Sequence, residues 1–84
     1  MRKKIIFKIK NYKFQDFDKI YIFGFGLSGR TIFHVLKNQK VKVDSFVDSE
    51  KKFLDTKYFG IKIISPQSLR LKINQADLKS LVII

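Results

Sequence analysis

The sequence predicts an α/β domain built on a parallel sheet, and three observations carry that prediction. Strand-like apolar runs alternate with helix-spaced segments in the order β-α-β-β-α-β. The run KIYIFG (19–24) is almost wholly apolar, as in a strand covered on both faces. A glycine-rich turn then joins that run directly to a segment with helical spacing.

Each element has its own signal. KIIFKI (4–9) reads as a short strand or extended arm, and NYKFQDFD (11–18) as a turn or one helical turn pinned by Tyr12, Phe14 and Phe17. After the first strand, GRTIFHVLKN (29–38) places Ile32, Val35 and Leu36 on one helical stripe, with Phe33 alongside; Ser28 is the expected N-cap, and Asn38 and Gln39 end the helix. VKVDSFV (41–47) alternates and is β-branched, so it is the second strand. SEKKFLDTKY (49–58) is polar and reads as a loop or short helix. GIKII (60–64) is the third strand. In SPQSLRLKINQ (65–75), Ser65 at the N-cap and Pro66 at the first helical position start a second helix, with Leu69, Ile73 and Leu71 on its buried side. DLKSLVII (77–84) is the fourth strand. Right-handed crossovers then give the order 3-2-1-4, a three- to four-stranded sheet in half of a doubly wound domain. The expected division is a basic arm over 1–18 and the sheet domain over 19–84, stopping after its fourth strand. An apolar fourth strand at a sheet edge is expected to pair with a downstream segment or a second copy, as in a homodimer.

Composition excludes several chemistries. The 84 residues contain no cysteine and one histidine, so a disulfide framework, a cysteine-ligated metal and a histidine cluster are ruled out within one chain. No apolar run is long enough to span a membrane, and MRKKIIFKIKNYKF lacks the unbroken apolar core of a signal peptide. A cytoplasmic protein is the expectation. Formal net charge is +11, but the lysines are spread along the chain, and only residues 2–13 form a basic block. Arginine is scarce. This pattern reads as a solvated surface rather than a nucleic-acid interface.

Chemistry concentrates in IYIFGFGLSGR (20–30), with glycines at Gly24, Gly26 and Gly29. A strand before and a helix after is the context that a phosphate-binding turn requires. Gly24 would allow the sharp turn, Gly26 the approach of a pyrophosphate to bare backbone, and Gly29 the close packing of helix on strand. Free N–H groups at the helix start, from the stretch Gly24, Phe25, Gly26, Leu27, Ser28 and Gly29, would meet the phosphates. The Ser28 hydroxyl would add a donor and Arg30 a charge. An acid at the end of the second strand, about 20 residues on, would bind ribose hydroxyls and disfavour NADP. Asp48 takes that role, because Asp44 lies inside the expected strand. The competing reading is that the glycines only make the turn.

The segments KIYIFGFGLSGRTIFHVL, VDSFVDSEKK, YFGIKIISPQSL and ADLKSLVII, in that order, resemble the N-terminal Rossmann-like domain of bacterial nucleotide-sugar-modifying proteins. That group includes polysaccharide-biosynthesis dehydratases and epimerases, sugar acetyltransferases and sugar methyltransferases. The resemblance covers residues 19–84 and rests on Phe46-Val47-Asp48, Gly60 to Ile64 and Ser65-Pro66-Gln67. It implies a nucleotide-sugar, such as a uridine-diphosphate sugar, or NAD at Gly24 to Gly29, with Asp48 near the base or ribose. Acetyltransferase members often carry histidine in the glycine turn, where this chain has Leu27-Ser28-Gly29-Arg30. Only the ligand class carries over, because neither an acetyltransferase repeat nor a dehydratase catalytic domain lies within the 84 residues. Amino-acid ligases of cell-wall synthesis also open on a Gly-x-Gly-x-Ser-Gly turn, but ISPQSL fits them poorly.

No residue is expected to be catalytic. His34 has no acidic partner in sequence and reads as a surface or partly packed side chain. Asp16, Asp18 and Asp55 read as solvated loop acids, and Tyr21 and Phe23 as core. The alternative function is a structural or interaction module without a ligand.

Overall fold

The computed structural model describes residues 2–6, 14–74 and 78–84. Its elements are β1 (Arg2–Ile6), β2 (Lys19–Phe23), α1 (Leu27–Asn38), β3 (Ser45–Val47), β4 (Lys57–Tyr58), β5 (Ile61–Ile64), α2 (Pro66–Ile73) and β6 (Lys79–Ile83). Short 3-10 turns occupy Phe14–Asp16 and Lys51–Phe53. One sheet holds all the strands in the order β1-β6-β2-β3-β5-β4. Every pairing is parallel except that of β4 with β5. The four strands expected from the sequence are β2, β3, β5 and β6, and their order is the predicted one. The arrangement is Rossmann-like.

Burial on both faces explains the continuous apolar runs. On one face, Ile20, Ile22, Phe46, Ile63, Leu81 and Ile83 pack with Phe33 and Leu36 of α1. On the other, Tyr21, Val47 and Val82 pack with Leu69 and Ile73 of α2. Successive residues of a strand point to opposite faces, so a strand covered twice has no polar phase. The buried stripe of α1 is Gly29, Phe33 and Leu36, with Ile32 half-buried, while Val35 turns outward. Leu71 is also exposed. Ser65 caps α2 as expected, its Oγ accepting from the Ser68 N–H at 3.1 Å.

Three differences from the sequence reading have physical causes. β1 pairs along its whole length with β6, from Arg2 opposite Lys79 to Ile6 opposite Ile83. The outer side of the fourth strand is therefore taken by the chain's own N-terminal residues, and residues 2–6 belong to the sheet rather than to a separate arm. The rest of the basic block, residues 7–13 with Tyr12, lies outside the described residues. Second, β3 begins only at Ser45. Asp44 precedes the strand, its N–H donating to the Ile20 carbonyl at 2.8 Å and its Oδ2 accepting from the Ile20 N–H at 3.3 Å. Third, the loop after β3 ends in a tight hairpin, β4 to β5, turning on Phe59 (φ 52°) and Gly60 (φ 78°). Positive φ at both central residues matches the twist of a two-residue hairpin. Among the described residues no helix is long and apolar enough to cross a membrane.

Ser80 is 1% exposed in the middle of β6, and its hydroxyl has no hydrogen-bond partner among the described residues. An unpaired buried hydroxyl carries a desolvation cost that alanine would not. Ser80→Ala is expected to raise stability by about 0.5–1 kcal/mol, read as a higher midpoint in urea unfolding.

Candidate functional site

The parallel sheet sends the carboxyl ends of β2 and β3 to one edge, and there the turn 24–26 leads into α1. Gly24 has φ 104°, a conformation open to glycine and costly for other residues. Its N–H donates to the Val47 carbonyl at 2.6 Å, extending the β2–β3 pairing by one bond. The Phe25 ring turns inward, 8% exposed, with edge contacts to Phe46 (4.9 Å), Phe53 (5.1 Å) and Tyr58 (5.3 Å) between ring centres. This ring anchors the turn to the core.

Helix α1 starts two residues earlier than the sequence suggests. Gly26, not Ser28, is the N-cap; its φ of −98° and ψ of −162° are extended, and no side chain caps the helix. The Arg30 N–H donates to the Gly26 carbonyl at 3.0 Å and opens the helical ladder. Helix geometry leaves the N–H groups of Leu27, Ser28 and Gly29 without an acceptor inside the helix. Leu27 and Ser28 are exposed, Leu27 at 80%. The partial positive charge of the helix start is concentrated at these amides. The Arg30 side chain lies along the turn, its Nε donating to the Gly26 carbonyl oxygen at 3.4 Å and its guanidinium 5.1 Å from the centre of the Phe25 ring.

The three glycines have different reasons to be glycine. Gly24 needs its φ. Gly29 is buried, and a Cβ there would overlap the Gly24 carbonyl oxygen. Gly26 has neither constraint: its φ suits any residue, and a Cβ would meet nothing within 4 Å. Its bare surface faces open space beside the uncapped amides.

Asp48 reaches the same turn from the end of β3. Its Oδ2 accepts from the Phe25 N–H at 2.8 Å and its Oδ1 from the Glu50 N–H at 2.9 Å. These bonds, the Phe25 one foremost, hold its carboxyl below the ordinary aspartate range. A lowered folded-state pKa contributes stability that is complete above the unfolded value of about 3.9 and is lost as pH falls through the folded value. Asp48→Ala is therefore expected to cost about 1 kcal/mol at pH 6, a figure reduced for the half-exposed setting. Denaturation of both proteins from pH 6 to pH 2.5 should show that gap closing below about pH 4.

The remaining candidates lie elsewhere. Phe23, expected in the core, is 42% exposed at the carboxyl end of β2. His34 is half-buried, its Nε2 2.8 Å from the Tyr58 hydroxyl oxygen and its ring edge-on to Phe59. No local pattern signals that pair, because Tyr58 is brought to His34 by the β4–β5 hairpin. Asp18 accepts from the Lys79 N–H at 2.8 Å and ties the first 3-10 turn to β6. Asp16 and Asp55 are exposed. Among the described residues no group of three or more histidine, cysteine or acidic side chains could hold a metal ion. A cavity of about 490 Å³, lined by Phe14, Phe17, Ile20, Gln39, Lys40 and Lys42 among others, opens at the amino ends of the strands. It contains none of the predicted site residues.

Neither a curated protein nor a solved structure matches the chain. The family model described as C2185-like, N-terminal, matches residues 16–75, which take in the glycine turn, Asp48 and α2. That match spans well over half of the sequence, and the chain belongs to the C2185-like, N-terminal family.

Proposed function

We propose that this chain binds a nucleotide-type ligand, a nucleotide-sugar or a nicotinamide dinucleotide, through its phosphates at the turn Gly24 to Gly29. The observation that carries the reading is Gly26. Glycine serves there as an N-cap, but of the three it alone is demanded by neither a positive φ nor close packing, and it borders three uncapped amides. An anion at that place would meet N–H donors, the positive end of α1 and the Arg30 guanidinium. It would also lie beyond the carboxyl ends of the strands, where open α/β sheets bind ligands. The segments that resemble nucleotide-sugar-modifying proteins favour a role in sugar or surface-polysaccharide biosynthesis as part of a larger protein. No side chain of the turn is assigned a chemical step.

The second reading, a ligand-free interaction module, is favoured by Gly24 and Gly29, whose identities the fold alone explains. Amide shifts of the labelled protein, followed on titration with a uridine-diphosphate sugar, NAD and a mononucleotide, separate the two. Saturable shifts centred on residues 24–30 are expected. Unmoved amides there, at millimolar ligand, would leave the interaction module.

A further inference from the structure

We propose that Asp48 holds the glycine turn in shape rather than reading a ribose, so that the site recognises the diphosphate of its ligand and not the sugar attached to it. The inference rests on the nucleotide reading above and changes what that site selects. Both oxygens of the Asp48 carboxylate already accept main-chain N–H groups, one from the turn and one from the loop after β3. The residue is fixed from behind as well, its own N–H donating to the Ile64 carbonyl at 3.0 Å. It thus links β5, the end of β3 and the β2–α1 turn in one chain of hydrogen bonds.

The charges around the turn agree with this role. Asp48 bonds the turn at the Phe25 N–H, whereas Arg30 donates to the Gly26 carbonyl, one residue nearer the helix. A phosphate is drawn to the amides and Arg30, and the carboxylate can only repel it. An acid that bound ribose would offset that repulsion by accepting hydroxyl hydrogen bonds. With one main-chain N–H on each oxygen, Asp48 has only its remaining lone pairs for a hydroxyl, so its charge is balanced chiefly by the main chain and less by a ribose. The two roles therefore predict opposite signs for removing the charge.

The test uses Asp48→Asn, which keeps an oxygen for the Phe25 N–H, beside Asp48→Ala, which does not. Binding of inorganic pyrophosphate, NAD and NADP is measured by calorimetry, and exchange of the Phe25 amide by nuclear magnetic resonance. In the wild type, NAD and NADP should bind within about threefold of each other. Asp48→Asn should tighten pyrophosphate and NAD alike by about threefold, the order of one screened unit charge. Phe25 amide protection should persist in Asp48→Asn and be lost in Asp48→Ala. The proposal is overturned if the wild type prefers NAD over NADP by tenfold or more and Asp48→Asn abolishes that preference. If the wild type binds none of the three, and no uridine-diphosphate sugar either, the nucleotide reading fails by itself. The exchange data then decide the role of Asp48: protection lost in Asp48→Ala supports it, and protection unchanged overturns it.

Discussion

Gly29→Ala is expected to cost about 3 kcal/mol of folding stability. A Cβ at that position would overlap the Gly24 carbonyl oxygen and stand 3.0 Å from the Gly24 carbonyl carbon. Both atoms are main chain, so neither can rotate aside as a flexible side chain would. Relief requires α1 to lift away from β2, which opens the layer where Phe33 and Leu36 meet Ile22 and Phe46. Helix propensity acts in the opposite direction, since alanine is better than glycine inside a helix by about 1 kcal/mol. The sign of the result therefore discriminates: steric conflict must exceed propensity for the mutant to be weaker. A domain of 84 residues has a total stability of roughly 4–13 kcal/mol, so the loss would be plain as a lower urea midpoint with an unchanged slope. A midpoint equal to or above that of the wild type would mean that α1 does not approach β2 at this point.

Gly26→Asp is expected to change stability and binding in opposite directions. The N-cap backbone is extended, and a side chain there has open space. An aspartate at an N-cap accepts from the second or third helical N–H, here Ser28 or Gly29, and improves on glycine by a few tenths of a kcal/mol. Its charge also suits the helix start. The same carboxylate would satisfy the amides that we assign to the ligand and would repel a phosphate beside them. Affinity for uridine diphosphate should fall roughly 100-fold or more, as expected from losing charge-assisted hydrogen bonds. A thermal shift gives the first effect and calorimetry the second. Greater stability with unchanged affinity would remove the turn from the binding site.

The order β2, α1, β3, β5, α2, β6 was legible because each central strand is apolar on both faces and each helix carries apolar residues at helical spacing, although Val35 and Leu71, expected on the buried sides, turn outward. Ser65-Pro66 marked the start of α2 correctly, because a serine N-cap before proline has few other uses. Ser28 misled for a related reason: it is a good capping residue, but the glycine two positions earlier already has the extended backbone of an N-cap. The N-terminal segment was legible only as a strand or an arm over 4–9, and the strand lies at Arg2–Ile6. Pairing between residues at opposite ends of the chain leaves no local pattern to read. The hairpin was hidden by Phe59, since an aromatic residue at positive φ carries none of the usual turn signals. Of the candidate site, the glycine spacing and the position of Asp48 at the strand end could be read directly. The Phe25 N–H that engages Asp48 could not, because a main-chain donor has no signature in sequence.

The decisive measurement is the position of uridine diphosphate soaked into a crystal of the protein. A phosphate group is expected at the start of α1, with oxygens about 3 Å from the amide nitrogens of Leu27, Ser28 or Gly29. A diphosphate seated elsewhere while these amides face only solvent would contradict it.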